Sequence, residues 1–385
     1  MAKTADYWVG VREERPGYKV ELFLGATAAS WLWIGKQVWR IGTAQVLTGG
    51  IGGVGTLKEH RNKGYSTACM VRAVEFMKEK KFPISALFGI PNFYPRWGYT
   101  SMMAEPRLTV SVKSALEAER VRGQRVVPFN RDKHSVDALK IYEAANRERS
   151  GSKVRPPAKW WRPFSIGSFW GIRTDSFAVV DRGGRLLGYA AHDKVGGEAF
   201  NVVEVGARGP EAYGAITAEL AARAKRGKYE QMTMFLPFDD HYATWLQRWT
   251  MSQSLQHYQH ANGMARIIDL EETFRICAPE LSRRLVNSGC NRTRAALTFA
   301  TDIGKTTLLI SGGQARVAPE AKLPERRHSM TARMPQHVLT RLLFGYGDPD
   351  ATVSGEGVSV PAKARPLIRA LFPRGYPYNW PGDRF

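Results

Sequence analysis

Residues 60–77, HRNKGYSTACMVRAVEFM, place a glycine between basic side chains at the point where an amphipathic helix begins. The stretch before it, AQVLTGGIGGVGTL, has the composition of a strand, and ISALFGI (84–90) after it indicates a buried strand that Pro91 ends. Strand, loop, helix and strand within about forty residues predict a βαβ unit. The buried stripe of the helix is expected to consist of Met70, Val71, Val74 and Met77.

The loop that opens this helix has the features of an anion site. Its backbone N–H groups have no helical partners, and the helix dipole favours negative charge at that end. The pattern Arg61-x-x-Gly64-x-Ser66 is common by itself, and basic residues also decorate helix starts that bind nothing. A similar string, RVRGQR (120–125), has neither a strand before it nor an apolar helix after it. The context of the first match therefore favours a pyrophosphate there.

The segments around this unit predict further strands and helices. From Tyr18 to Leu57 strands alternate with turns, and Ile34-Gly35-Lys36 predicts a hairpin turn. A polar, Arg-rich stretch that extends to about residue 135 predicts a linker.

A second α/β stretch follows, with expected helices at 135–148 and 211–225 and a hairpin at 177–192. A third segment opens near Ile267. It contains the helical LEETFRI, the strands AALTFATD and TTLLISGGQARVA, and two late helices, PQHVLTRLLFG and PAKARPLIRALFP.

Length and charge limit the classes of protein that fit. A chain of 385 residues predicts two or three domains. The formal net charge of +21 predicts a surface that attracts anions, which leaves nucleic acid open as a partner. A basic enzyme with scattered arginines fits the same charge, and no Lys/Arg-dense tail or helix-turn-helix pattern is present in the sequence.

The cysteines and the apolar runs indicate a cytoplasmic protein. The chain has an odd number of cysteines, Cys69, Cys277 and Cys290, and no CxxC pair. This argues against a disulfide framework or a structural zinc site. The N-terminus lacks the apolar core of a signal peptide, and we find no long uncharged apolar run.

The motifs GGVGTLKEHRNKGYSTACM and ALFGIPNFYPRWGYT resemble the acetyl-coenzyme A core of the GNAT N-acetyltransferases, and more narrowly that of the Eis-type subgroup. The resemblance implies that the pantetheine arm of acetyl-CoA pairs with main-chain groups of Val54, Gly55 and Thr56. It assigns the phosphates to the loop and helix start, namely Arg61, Asn62, Lys63, Gly64, Tyr65, Ser66 and Thr67. The side chain of Arg61 either joins the phosphates or holds the loop. Ser66 stands where the family usually has Gly or Ala.

The resemblance also implies the catalytic residues of a direct transfer from acetyl-CoA to an amine. Tyr99 falls where the family has its general acid toward the thiolate, and Tyr94 and Pro95 match positions beside the cofactor. Without the resemblance, Tyr99 would be interpreted as part of an aromatic core cluster. In Eis-type enzymes the C-terminal carboxylate reaches the active site, a role that falls to Phe385 and that would consist mainly of orienting the amine.

The resemblance extends over nearly the whole chain. It implies a GNAT domain at 1–127, a degenerate second GNAT-like domain at 128–268 and a sterol-carrier-protein-like domain at 269–385. The fold class is therefore α/β, with tandem GNAT-like mixed sheets flanked by helices. Only 53 residues precede Val54, so we expect the walls of the acceptor site to be shortened. The subgroup also implies a homo-oligomer, often a hexamer.

Two functional hypotheses follow. The first is an acetyl-CoA-dependent N-acetyltransferase without a metal, acting on an aminoglycoside-like or lysine-type amine. The alternative is a non-catalytic basic protein that uses a GNAT scaffold to hold nucleic acid or an acidic partner. His257 and His260 have a spacing that suits a metal but no ligand cluster around them in sequence. Asp239, Asp240 and His241 precede a Trp-bearing helix and are expected to form its N-cap and the neighbouring positions.

Overall fold

The computed structural model describes residues 6–157, 174–193, 199–318 and 329–385. The chain forms two compact units. The first takes residues up to Met103, then Tyr258–Pro377 and Phe385, and the second takes Ala104–His257 and Tyr378–Arg384.

The strands, in chain order, are β1 (Trp8–Glu14), β2 (Gly17–Leu24), β3 (Thr27–Ile41), β4 (Ala44–Thr56), β5 (Ile84–Gly89), β6 (Thr100–Ser101), β7 (Glu105–Ser111), β8 (Arg125–Pro128), β9 (Thr174–Val180), β10 (Leu186–Asp193), β11 (Phe200–Ala207), β12 (Gln231–Met234), β13 (Met251–Gln256), β14 (Asn262–Ile267), β15 (Ala295–Thr301), β16 (Gly304–Ser311), β17 (Gln314–Val317) and β18 (Ser329–Arg333). The helices are α1 (Tyr65–Glu79), α2 (Val112–Ala115), α3 (Arg131–Asn146), α4 (Tyr213–Arg226), α5 (His241–Trp245), α6 (Leu270–Asn287), α7 (Gln336–Phe344), α8 (Pro349–Thr352) and α9 (Arg365–Leu371).

The first unit contains a mixed sheet whose described strands run in the order β1-β2-β3-β4-β5-β14-β6. Strands β4 and β5 are parallel and α1 connects them, which confirms the predicted βαβ unit. Helix α1 covers one face of this sheet with Cys69, Met70, Ala73, Phe76 and Met77. The predicted stripe was wrong at Val71, which is exposed, since the buried face passes through Cys69 and Ala73 instead.

The predicted hairpin turn at Ile34-Gly35-Lys36 was also wrong. Strand β3 runs unbroken through Gly35, which pairs with Gly17 on one side and with Gly50 on the other. The chain reverses instead at Gly25 and Gly42, where φ is +57° and +56°. Turns of this kind need a positive φ, which glycine adopts without steric cost.

A second sheet in the first unit has the described strand order β17-β16-β15-β18. Helices α6, α7 and α9 pack with it around an apolar core. This core also includes residues of the first sheet, so both sheets of the unit share one interior. The predicted helices and strands of the third segment are all present in it.

The second unit contains a mixed sheet with the described order β13-β7-β12-β11-β10-β9-β8. Strands β11 and β12 are parallel and α4 connects them, while the Gly183-Gly184 turn joins β9 and β10 as predicted. The linker predicted beyond EPRLTVSV (105–112) was wrong in part, because α2 and β8 lie in it. Strand β7 lies inside the sheet, between β12 and β13. Its alternating apolar residues Leu108 and Val110 are buried, which explains this position.

Glu280 in α6 joins this helix to the turn between β3 and β4. Its carboxylate accepts hydrogen bonds from Thr43 Oγ1 (2.7 Å), Arg283 Nε (2.8 Å) and Arg284 Nε (2.7 Å). Desolvation opposes ionisation of this buried group, but the hydrogen bond from Arg283 and the charge of Arg284 outweigh it and lower the pKa of Glu280 to about 2.

We expect Glu280→Gln to lower the free energy of unfolding by roughly 3 kcal/mol at pH 7, because Arg283 and Arg284 lose a buried partner. The stabilisation from Glu280 is complete above its ordinary pKa of 4.5 and is lost as the pH falls toward about 2. Urea unfolding at several pH values should therefore show the wild type and the variant converging over that interval. Glu79→Gln, which removes an exposed partner of Arg72, is the control and should leave the free energy of unfolding nearly unchanged. A difference for Glu280→Gln that stays constant with pH would contradict this account.

Candidate active site

A cleft opens in the first sheet where β4 separates from β5. The two strands pair from Thr48 with Ile84 to Ile51 with Leu87. Beyond this point β4 continues to Thr56 on the side of β3 alone, while β5 ends at Gly89. Ligands of open α/β sheets bind where neighbouring strands part at their carboxyl ends, which is the position of this cleft.

Glycines shape the free length of β4. Gly53 has a φ of +59°, and the register with β3 shifts between Trp31 and Trp33, so β4 bulges here. A Cβ atom on Gly55 would lie 2.7 Å from the Trp31 ring, so no larger residue fits without movement. Ser30 Oγ in β3 donates a hydrogen bond of 2.9 Å to the Gly55 carbonyl and thereby holds this part of β4 against β3.

The loop after β4 leaves the start of α1 open. Gly64 is the N-cap residue with a φ of +79°, no side chain caps the helix, and no acidic residue lies in its first turn. Arg61 and Lys63 are exposed beside these N–H groups. The Arg61 Nε atom donates to the Thr56 carbonyl over 3.4 Å, so its side chain holds the loop in this structure. Open N–H groups, a helix dipole and two cations together suit a diphosphate.

The cleft encloses a cavity of about 480 Å³. Eight of the sequence-predicted site residues line it: Val54, Gly55, Thr56, Arg61, Asn62, Ser66, Tyr94 and Phe385. Six others do not contribute to its wall: Lys63, Gly64, Tyr65, Thr67, Pro95 and Tyr99. The sequence analysis did not single out another six lining residues, which are Ile51, Gly52, Gly53, Phe88, Ile90 and Phe93. The end of β5 beside the separated β4 was the signal for Phe88 and Ile90, because the carboxyl ends of parallel strands share an edge.

Phe385 lies against the glycine-rich face of β4. Its ring centroid is 6.2 Å from that of Trp39 and 5.9 Å from that of Phe88, in edge-to-face contacts. A Cβ atom on Gly50 would come within 2.8 Å of this ring, and a Cβ atom on Gly52 would lie 3.6 Å from the carbonyl carbon of Phe385. The bare backbone of β4 therefore makes room for the last residue beside the cleft.

Tyr99 is buried beside the paired part of β4 and β5, before the two strands separate. Its hydroxyl lies 2.7 Å from Ser85 Oγ, and Ser85 Oγ is 2.7 Å from the Gly49 carbonyl. Since the single hydroxyl proton of Ser85 goes to the Gly49 carbonyl, Tyr99 is the donor to Ser85. Burial raises the pKa of Tyr99 to about 12, although the hydrogen bond with Ser85 opposes this shift. Tyr99 is therefore a neutral hydrogen-bond donor at pH 7.

Tyr94 is the tyrosine of the cavity wall. Its ring centroid is 6.2 Å from that of Tyr99, and both belong to the apolar core under α1. Its hydroxyl has no hydrogen-bond partner among the residues that the structure describes. Desolvation raises the pKa of Tyr94 as well. Two phenols of the same cluster are thus available near the separated strands, one of them lining the cavity.

Other sequence candidates have structural roles. Cys69 is buried, and burial raises the pKa of its thiol to about 11, so it packs as a small apolar residue. Asp240 caps α5 by accepting from the N–H groups of Tyr242 and Ala243, as predicted. Across the described ranges, no cluster of three potential ligands, including any around His257 and His260, could hold a metal ion.

Comparisons with known proteins agree with this geometry. A family model described as an acetyltransferase (GNAT) domain matches residues 24–102. Among solved structures, a probable N-acyltransferase of unknown function from Enterococcus faecalis is 16% identical, with 96% of this chain and 89% of that chain covered and a TM-score of 0.75. No curated protein matches the sequence.

Two further structures cover similar lengths. A GCN5-related N-acetyltransferase from Anabaena variabilis is 16% identical over 95% of this chain and 89% of that chain, with a TM-score of 0.72. Eis1 from Mycobacterium abscessus is 15% identical over 97% of this chain and 91% of that chain, with a TM-score of 0.64. At identities this low, the structural similarity establishes a shared fold. Together with the family model it confirms the predicted α/β fold class and the GNAT acetyltransferase domain.

The remaining sequence predictions stay predictions. They are the sterol-carrier-protein-like nature of the last segment, the boundaries at 127 and 268, and the roles of the individual site residues. Among the helices of the described ranges, none combines the length and the apolar character needed to cross a bilayer.

Proposed function

We propose that this protein, an N-acetyltransferase with a GNAT domain at residues 24–102, passes the acetyl group of acetyl-CoA directly to an amine. The observation that carries the proposal is the open start of α1 beside the separated strands β4 and β5. An uncapped helix start holds a diphosphate, and an unpaired strand edge holds an amide-bearing chain such as pantetheine.

The proposed cofactor position follows from these two features. The pantetheine arm pairs with the main chain of Val54, Gly55 and Thr56, which form part of the cavity wall. The oxygens of the diphosphate accept hydrogen bonds from the main-chain N–H groups of residues 62–67. Arg61 and Lys63 supply positive charge beside them. The absence of an acidic residue from the first turn of α1 removes a competitor for the same N–H groups.

Acetyl transfer requires a neutral amine and a stabilised thiolate. A free alkylamine resembles lysine, with a pKa of about 10, so it must lose a proton before it attacks the thioester carbonyl. Tyr99 is the proposed acid toward the departing thiolate. With its pKa raised to about 12, full proton transfer to a thiolate is uphill, so its main contribution is a hydrogen bond to the sulfur. For this role its proton must leave Ser85 when the cofactor binds.

The carboxylate at the end of this sequence, on Phe385, is the proposed partner of the amine. The Phe385 ring is held by Trp39 and Phe88, and its carbonyl carbon lies beside Gly52 in the cleft wall. A carboxylate there attracts an ammonium group and orients the amine or a water, while a pKa of about 3.5 makes it a weak base by itself. We propose an aminoglycoside-like or lysine-type acceptor, both of which carry such ammonium groups.

Location and assembly complete the proposal. A reducing cytoplasm suits Cys69 and Cys277, which are buried and unpaired thiols. A homo-oligomer, with a hexamer as the first possibility to examine, follows only from the Eis-type resemblance.

The first prediction concerns cofactor binding. Calorimetry should give a Kd for acetyl-CoA in the micromolar range, and combined Arg61→Glu and Lys63→Glu substitutions should raise it at least about tenfold, because two cations beside the diphosphate become anions. Lys78→Glu reverses one positive charge at the far end of α1, about 20 Å away at roughly 1.5 Å per residue, and should have little effect. If the folded wild type bound no acetyl-CoA, the proposed function would be wrong.

The second prediction separates the two tyrosines. Tyr99→Phe should retain acetyl-CoA binding and lower kcat by roughly 100-fold or more, because the thiolate loses its donor. Thiol release monitors turnover, and calorimetry monitors binding. Tyr94→Phe is the matched variant in the same aromatic cluster and should keep most of the turnover. The opposite result, with Tyr94→Phe inactive and Tyr99→Phe unaffected, would transfer the acid role to Tyr94.

The third prediction concerns the end of the chain. Deleting Phe385 should leave the Kd for acetyl-CoA unchanged but lower turnover at least about tenfold in a screen of aminoglycosides and lysine peptides, since the amine loses its orienting carboxylate. Appending Gly-Ala after Phe385 keeps the ring but displaces the carboxylate, and it should have the same effect. Full turnover by the extended form would exclude the carboxylate from the mechanism.

A further inference from the structure

The sheet of the second unit opens in the same way as the sheet of the first. Strands β11 and β12 pair only from Phe200 with Met232 to Val202 with Met234. Strand β11 then continues to Ala207 with β10 alone among the described strands, and a cavity of about 750 Å³ lies at its free end. The wall includes Val205-Gly206-Ala207, which corresponds to Val54-Gly55-Thr56 of the first cleft.

The loop that leads from this wall to α4 differs from the loop before α1. The chain passes from β11 to α4 through Arg208, Gly209 and Pro210, and a proline has no N–H group to donate. Glu211 adds an acidic side chain to the short helical turn that follows. The start of α4 has no side-chain cap either. With Pro210 and Glu211 before it, however, this cavity is less suited to a diphosphate than the first cleft.

Three aromatic rings form one side of the cavity. The ring centroid of Tyr213 is 5.1 Å from that of Tyr242 and 5.5 Å from that of Trp245. Tyr242 and Trp245 are stacked, with centroids 6.0 Å apart and an interplanar angle of 18°. Faces of such rings carry partial negative charge and attract cations. The guanidinium group of Arg248 already lies 4.4 Å from the centroid of the Trp245 ring. Tyr213 and Tyr242 and the remaining surface of Trp245 are therefore the parts available to a ligand.

A carboxylate stands beside these rings. Asp240 lines the cavity, and its Oδ1 accepts the capping hydrogen bonds from the N–H groups of Tyr242 (2.8 Å) and Ala243 (3.4 Å). Its Oδ2 has no hydrogen-bond partner in the described part of the chain. Burial, and then the charge of Asp240, raise the pKa of Tyr213 to about 12, which indicates that carboxylate and ring are close.

The surrounding charges leave Asp240 in need of a cation. Arg149 is the positive group that acts on it, but Arg149 is also paired with Asp239 over 2.7 Å. Burial raises the pKa of Asp240, so its ionised form is poorly stabilised without a further positive charge.

The two cations of the opposite wall have a partner of their own. Lys140 and Arg208 lie 3.5 Å and 3.0 Å from Asp137. Arg208 also donates to the Leu186 carbonyl over 2.7 Å. The carboxylate of Asp137 thus partly neutralises the charge of Lys140 and Arg208.

We propose that this cavity is a second ligand site, separate from the acetyl-transfer cleft, and that it binds a small organic cation of the quaternary or tertiary ammonium class. The rings of Tyr213, Tyr242 and Trp245 contact the alkyl groups and the positive charge, and Asp240 Oδ2 faces the cation. A cavity of about 750 Å³ admits molecules larger than a bare trimethylammonium group.

The test titrates the full chain with three molecules of one shape. Choline is the cation. The uncharged analogue is 3,3-dimethylbutan-1-ol, which has carbon in place of nitrogen, and the anion is 3,3-dimethylbutanoate. Calorimetry should show saturable binding of choline at least tenfold tighter than that of either analogue. The titration contains no acetyl-CoA and the choline nitrogen has no free valence for an acetyl group, so the result does not depend on turnover, and Tyr99→Phe should leave it unchanged.

Two variants locate the binding. Asp240→Asn keeps a good N-cap residue while it removes the charge, and it should weaken choline binding at least tenfold; Trp245→Leu should weaken it about fivefold. Asp132→Asn removes an exposed carboxylate outside the cavity wall and is the matched control. Equal binding of choline and its uncharged analogue, preference for the anion, or full choline binding by Asp240→Asn with an unchanged unfolding temperature would each overturn the proposal.

Discussion

The separation of β4 from β5 is the constraint on which the candidate site depends. Two strands that stay paired along their whole length leave no free main-chain groups between them for a ligand to meet. The bulge at Gly53 turns β4 away after Ile51 and exposes its main-chain groups to the cleft. The same divergence delivers the chain to the open start of α1, so one local distortion creates both the strand edge and the anion niche.

The sequence predicted this region well because its signals are local. A glycine at a helix start, a basic pair and two apolar strands lie within one stretch of chain, and each has a short-range physical meaning. The same holds for the Gly183-Gly184 turn, which joins neighbouring strands. Gly35 was misinterpreted because glycine in a long strand and glycine in a turn share a composition. Gly25 and Gly42, unlike Gly35, have a positive φ and lie where the chain reverses.

The features that the sequence could not supply are long-range. Nothing local to Tyr99 indicates that its proton is occupied by Ser85, fourteen residues earlier in the chain. The contact of Phe385 with Trp39 and the bare backbone at Gly50 join positions more than three hundred residues apart. The family resemblance pointed to both residues, but only the fold shows which side chains surround them. The contribution of Phe88 and Ile90 to the cleft wall is of the same kind.

Strand β14 has a consequence for how this chain can be divided. It comes from residues 262–267 and lies between β5 and β6, so the sheet that contains the cleft is completed only after Ala104–His257, the larger part of the second unit, has been synthesised. A fragment that ends before residue 262 would leave β5 with an unpaired edge of apolar residues, the kind of surface that templates aggregation. The acetyltransferase module therefore cannot be excised as a contiguous N-terminal piece, and insertions between the two portions must preserve the return of the chain.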